Sequence, residues 1–199
     1  MKLRVFQSSH GDCLLLTTRD GKNMLADGGL AGSYSEHVAP FLGQMREDGE
    51  ALDIVYVSHI DADHIAGVLR MMDDHVGWRV HDFQRDNGNS SPQRPSNPRP
   101  PEVGAVWHNA FHEQVADNEG EFEELLAAEA AVLSLRSEDW AAAMSEEYAN
   151  LAASKKQAVR LSRRIGDAQL GVPLNPEYDG RLMLRTDPVK TIPLGEAEI

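Results

Sequence analysis

The sequence predicts an α/β fold in which a small sheet forms first, helices cross between its later strands, and a helical block follows. Three observations carry this prediction. Three short apolar runs separated by turn pairs fill residues 3–26; an amphipathic stretch then leads into a β-branched run; and a proline-rich segment divides both from a long acidic, helix-forming stretch.

The first runs are Leu3-Arg4-Val5-Phe6, Cys13 to Thr17 and Asn23 to Ala26, with Gly11-Asp12 and Asp20-Gly21 between them, which is the pattern of an antiparallel meander. Asp27-Gly28-Gly29 stops the third strand. Ser35 to Glu47 places Val38, Phe41, Leu42 and Met45 at helical spacing. Leu52 to Ser58 reads as a buried strand, and His64 to Met72 as a helix with Ile65, Val68, Leu69 and Met72 inward. These elements make a first unit over residues 1–84.

Residues 85–102 hold five of the ten prolines and almost no apolar side chain, so they are expected to form a mobile loop. Residues 103–199 continue with a strand, Val103 to Trp107, then two or three helices. Phe122, Leu125, Leu126, Val132 and Leu133 mark one apolar face, and Trp140, Met144, Tyr148 and Leu151 another, both expected to pack into the core. Ser137 reads as an N-cap, Ser154-Lys155-Lys156-Gln157 as the capping box of a last helix, and Gly166 as its close. A short strand is expected near Arg181 to Arg185. Gly195 to Ile199 reads as the opening of a further strand.

Thirty-two acids against nineteen bases leave a net charge of −13, unevenly spread: −5 over residues 1–112, −10 over 113–147 and +2 over 148–199. That balance argues against affinity built on neutralising many phosphates, and leaves open a local metal-dependent phosphodiester site. The single cysteine, Cys13, makes neither an internal disulfide nor a thiolate cluster, so a metal would be held by histidine and carboxylate. Neither a spanning apolar run nor a signal-peptide pattern is visible, so a cytoplasmic location and no membrane partner are expected.

The chemistry concentrates in Ser58-His59-Ile60-Asp61-Ala62-Asp63-His64, where two histidines and two aspartates share six residues between a strand and a helix. His59 and Asp61 leave an extended segment on one side, while Asp63 and His64 open the helix. Two ions can share such a loop. Imidazole suits zinc, iron or manganese, and the carboxylates move the balance toward harder ions. Helix capping alone would need one acid.

This stretch resembles the signature His-x-His-x-Asp-His of the metallo-β-lactamase fold superfamily, and the resemblance spans about residues 1–80, including Gly11-Asp12 and Met24 to Gly29. It is also similar to the metallo-hydrolase domain of competence DNA-uptake proteins. The resemblance implies an αββα sandwich, of which the chain supplies the first half plus a helical insertion. It implies two divalent ions, zinc or manganese, with His59 and Asp61 on one, Asp63 and His64 on the other, and Asp27 and Asp12 in support. Asp63 would orient the attacking water and accept its proton. Asp61 stands where the family has its second histidine. The family also takes a histidine, an aspartate and a final histidine from later in the chain, yet no histidine follows residue 112, so His108, and less well His112, stand for the missing imidazole.

The resulting expectation is a metal-dependent hydrolase, a phosphodiesterase or nuclease, completed by a complementary C-terminal half or another chain, with nucleic acid as a possible substrate. The alternative is a regulatory or scaffold subunit that binds metal without turnover. A third reading makes residues 119–165 a docking surface or a lid over the site.

Overall fold

The computed structural model describes residues 1–109, 121–136, 138–184, 188 and 190–199, with the side chains of 121–123 also outside the description. Strands β1 (Lys2–Val5), β2 (Leu14–Thr17) and β3 (Asn23–Ala26) form the expected antiparallel meander. A helical stretch then crosses over, made of α1 (Ala31–Ser33), a π-helical turn (Tyr34–Val38) and α2 (Ala39–Glu47). It begins four residues before the expected start. The wide turn ends just ahead of Pro40, whose ring would crowd the Glu36 carbonyl in a regular helix.

Strand β4 (Leu52–Val57) pairs parallel to β3, helix α3 (Ala62–Asp86) follows, and β5 (Val103–His108) pairs parallel to β4. The sheet order is β1-β2-β3-β4-β5. Its parallel edge aims the C-terminal ends of β3, β4 and β5 at one rim, where the loops that carry the chemistry emerge.

Alternation along the strands separates the two faces. Leu15, Leu25, Val55, Val57 and Val106 face a core completed by Tyr34, Leu42, Ile65, Val68, Met72, Leu161 and Ile165. Ile54, Ala105 and Trp107 face the other way, where Ile192 and Leu194 cover them, with Leu16, Met24 and Tyr56 half-buried alongside. That second face is therefore partly covered from within the chain. The cover is a hairpin of β6 (Pro193–Leu194) and β7 (Ala197–Glu198), turning at Gly195 with φ +60°. Gly195 to Ile199, expected to open a strand, instead holds a turn and a return strand.

Helix α3 runs fourteen residues past the expected Met72, to Asp86. In its second half Val76, Val80 and Phe83 keep helical spacing, but Val80 and Phe83 are exposed, and polar anchors from the proline-rich segment hold it. Asn97 Nδ2 donates to the buried Asp74 at 2.7 Å, Trp78 Nε1 donates to the Asn97 carbonyl at 3.2 Å, and Arg99 pairs with Asp82. Arg94 and Arg99 also lie over the Trp78 ring. Residues 95–101 are packed, with Asn97, Pro100 and Pro101 buried, where the expectation was a mobile loop with too little apolar surface to order itself. Buried backbone and side-chain polar partners replace the apolar contacts that composition looks for.

Helices α4 (Glu121–Ser134) and α5 (Asp139–Ile165) pack against each other. Of the residues expected in the core, Leu126 is buried but Leu125, Val132, Trp140 and Leu151 are exposed, and the other buried positions of the pair include Ala130, Ala141, Ala152, Ala158, Leu161 and Ile165. Ser154 is buried mid-helix, so the capping-box reading fails; Ser137 lies outside the described residues, and Glu138 is the N-cap. Gly166 does close the helix. Among the described residues no strand forms at 181–184; a single turn of 3-10 helix (Pro176–Tyr178) precedes that stretch.

Candidate metal centre

The rim is built around Asp27, at the end of β3. Its backbone N–H donates to the Tyr56 carbonyl at 2.8 Å, and its φ of +57° turns the chain sharply into Gly28-Gly29. Left-handed backbone costs a non-glycine residue about 1 kcal/mol, least for Asp and Asn, so the surrounding bonds must hold it there. They do. Asp27 is 5% exposed, Oδ1 accepts the Ser58 N–H at 2.8 Å, and Oδ2 accepts the Ser58 hydroxyl at 2.6 Å.

Close backbone approach seats the helix against this turn. Gly28 N–H donates to the His64 carbonyl at 2.9 Å, and Gly67 N–H to the Gly29 carbonyl at 2.8 Å. A methyl group on Gly67 would overlap the Gly28 carbonyl, and one on Gly11 would overlap the Asp63 carbonyl. Glycine at these points lets three loops meet. Asp12 joins through its backbone, accepting the Gly29 N–H at 3.0 Å, while its side chain is exposed.

Four of the expected ligands then come together as two pairs. His59 Nε2 lies 3.5 Å from Asp61 Oδ2, His64 Nε2 lies 3.9 Å from Asp63 Oδ1, and the two imidazole rings are 3.8 Å apart between centroids. His64 Nδ1 is 3.0 Å from Asp27 Oδ2, a carboxylate oxygen that only accepts, so the Nδ1 proton is fixed and Nε2 is left with its lone pair. This is the arrangement that prepares a histidine for a metal.

The donor set suits a divalent cation in kind and in spacing. Nitrogen and oxygen ligands about 2.0–2.2 Å from one zinc at a tetrahedral angle stand roughly 3.4 Å apart, close to the separations seen in both pairs. In number the pairs are half-sites: among the described residues no three His, Cys, Asp or Glu side chains are placed to hold one ion together. His59 and Asp61 would hold one ion and Asp63 and His64 the other, each needing further donors.

His108 ends β5, opposite Val57 in the parallel register, and so stands on the same rim. It is 1% exposed, and the Asn175 side chain clasps its backbone on both sides, at 2.8 Å each. It joins no ligand group among the described residues. His112 lies outside those residues. Burial, with a smaller push from Asp27, drives the Cys13 thiol up to about 12, which removes it as a ligand or nucleophile at neutral pH.

A cavity of about 760 Å³ opens directly onto this rim. Asp61, Asp63 and His10 line one side, and Glu146, Glu147 and Asn150 of α5 the other. The α5 wall is a long-range product of folding and has no local signature in sequence. Ser58 has one, its place directly before His59, but its role depends on Asp27, thirty-one residues away.

No curated protein and no solved structure matches the chain. No helix among the described residues is long and apolar enough to cross a membrane. Residues 9–81, which contain Asp27, the rim glycines and the whole His59–His64 stretch, match the family model of the metallo-beta-lactamase superfamily.

Proposed function

We propose that the chain is a metal-dependent hydrolase acting on phosphodiesters, nucleic acid among them, with His59 and Asp61 holding one divalent cation and His64 and Asp63 the other. The observation that carries this reading is the pair of imidazole–carboxylate couples with their rings 3.8 Å apart, beside a cavity that can take a substrate. Zinc or manganese bound there supplies an acidified water and neutralises charge on the attacked group. Asp63, half-buried at the start of α3, orients that water and takes up its proton on the carboxylate. Asp27 and Ser58 hold the imidazoles. The remaining donors come from a complementary chain segment or a partner chain, and within this chain His108, at the end of β5, is a further candidate.

A second reading, a scaffold that binds metal without turnover, is favoured by Asp61 in the place of a histidine and by the two-donor count of each half-site. One experiment separates them: metal content by elemental analysis, then hydrolysis of a generic phosphodiester, DNA and RNA with zinc or manganese, for wild type and Asp63→Ala. Metal-dependent turnover lost in Asp63→Ala supports the hydrolase. Metal bound without turnover of any of these substrates, with a complementing segment supplied, gives the scaffold, and a chain that takes up no metal overturns both.

A further inference from the structure

We propose that Ser58 is a positioning residue: its hydroxyl relays the Asp27 carboxylate to His59, so that one buried oxygen fixes the proton of both imidazoles on Nδ1 and presents both Nε2 lone pairs to the rim. The proposal rests on the metal-holding reading above and concerns the chain before any metal arrives.

The argument is one of proton counting. Asp27 Oδ2 lies 2.6 Å from Ser58 Oγ and 3.0 Å from His64 Nδ1, and Ser58 Oγ lies 2.8 Å from His59 Nδ1. A carboxylate has no proton to give, so at 2.6 Å the single hydroxyl proton of Ser58 belongs to the bond with Oδ2. Ser58 Oγ can then only accept from its other neighbour. His59 Nδ1 must therefore carry the proton, and its Nε2, 3.5 Å from Asp61 Oδ2, carries the lone pair. His64 is set the same way by direct contact with Oδ2. Two couples that look independent along the chain thus share one reference atom.

That oxygen is itself rigidly placed. The Ser58 N–H fixes Oδ1 at 2.8 Å, and the left-handed backbone of Asp27 is pinned to β4 through Tyr56. His59 is otherwise exposed, with 47% of its side chain open to solvent, so among the described residues Ser58 is what holds its tautomer on the Nδ1 side, against the Asp61 carboxylate 3.5 Å from Nε2. In free solution a neutral imidazole favours the proton on Nε2, the form that cannot offer Nε2 to a metal. The relay reverses that preference at the point where it matters.

The test uses the metal-free full chain, labelled with nitrogen-15, at a pH of about 8 where an ordinary imidazole is neutral. Long-range proton–nitrogen correlation distinguishes the two tautomers, and His59→Gln and His64→Gln spectra assign the rings. Wild type is expected to show the proton on Nδ1 in both. Ser58→Ala is expected to move His59 toward the Nε2–H form and leave His64 unchanged, which also reports that the rim has kept its fold. Ser58→Thr restores the hydroxyl and the wild-type pattern. Zinc affinity of Ser58→Ala should fall about 10–100-fold and recover in Ser58→Thr. An Nε2–H His59 in wild type, or a His59 unmoved by Ser58→Ala, overturns the relay. A changed tautomer with unchanged zinc affinity overturns the positioning role. A chain with both Nδ1 protons in place that takes up no zinc overturns the proposed function and leaves the tautomer lock standing.

Discussion

Asp27 concentrates more of the rim's geometry than any ligand does, because one side chain ties β3, the β4 end and the first turn of α3. Replacing it with alanine removes three hydrogen bonds to a buried carboxylate and leaves an alanine at φ +57°. The expected cost is about 3 kcal/mol, read as a lower urea midpoint, with Asp27→Asn losing less because an amide oxygen still accepts from Ser58. A change under about 0.5 kcal/mol in Asp27→Ala would mean the rim is held elsewhere. His75 offers a pH test at the same scale. Its Nε2 is buried without a hydrogen-bond partner among the described residues, and desolvation pushes the ring down to about 4. The unfolded chain thus binds the proton first as pH falls from about 6.5. Stability should drop through the window from 6.5 to 4, by up to about 3 kcal/mol, and His75→Gln should flatten that part of the denaturation profile. An unchanged slope in His75→Gln would assign the acid sensitivity to other groups. Below that window, loss belongs to carboxylates such as Asp82 and Glu102, held low by Arg99 and Arg46 respectively.

Helix α3 shows how far an element can depart from its own periodicity. Its first turns were legible because Ile65, Val68, Leu69 and Met72 face the sheet at helical spacing, and the ligand stretch was legible because four metal-binding side chains, two His and two Asp, crowd six residues. Its second half was not, because Asp74 and Trp78 are satisfied by Asn97, a partner that local patterns do not reveal. Burial raises the Asp74 carboxyl while the Asn97 amide and Arg70 pull it back down. Asn97→Ala should release the segment around residues 95–101 from α3 and cost about 1–3 kcal/mol, with faster amide exchange or proteolysis confined to that segment as the signature. Uniformly faster exchange would instead point to global destabilisation. Helix α5 was misread for the opposite reason: Trp140 and Leu151 have the spacing of a core face, yet the side of the helix that packs is lined with alanine, which lets helices approach closely. Its place at the cavity carries a chemical consequence. Glu146 and Glu147 face Asp61 and Asp63 with no lysine or arginine among the lining residues, so an anionic substrate meets positive charge there only from bound cations. Glu146→Gln with Glu147→Gln should lower KM for an anionic diester several-fold, more at low salt than at high, and change kcat little. An equal change for an uncharged ester would show that the effect is steric.

At the scale of the molecule, the order of sheet and helices follows from strand alternation and loop chemistry, whereas the covering of the far sheet face depends on residues 192–194 reaching back to β4 and β5. That long-range packing has no signal in a linear reading. The same scale governs how metal and stability are coupled. A net charge of −13 loads the folded chain with self-repulsion, so any salt should raise its melting temperature by screening. A divalent cation held by the rim does something further. It binds the folded chain and not the unfolded one, adding about 2.7 kcal/mol at a hundred times Kd, because the His59–Asp61 and His64–Asp63 couples exist only when β4, α3 and the Asp27 turn are assembled. Zinc or manganese should therefore raise Tm well beyond a monovalent salt of matched ionic strength, and a chelator should reverse the excess. In the His59→Ala, His64→Ala double variant the salt effect should persist and the excess vanish. An excess that survives in that variant would place the cation on the acidic helices instead, and would separate the charge of the molecule from the chemistry of its rim.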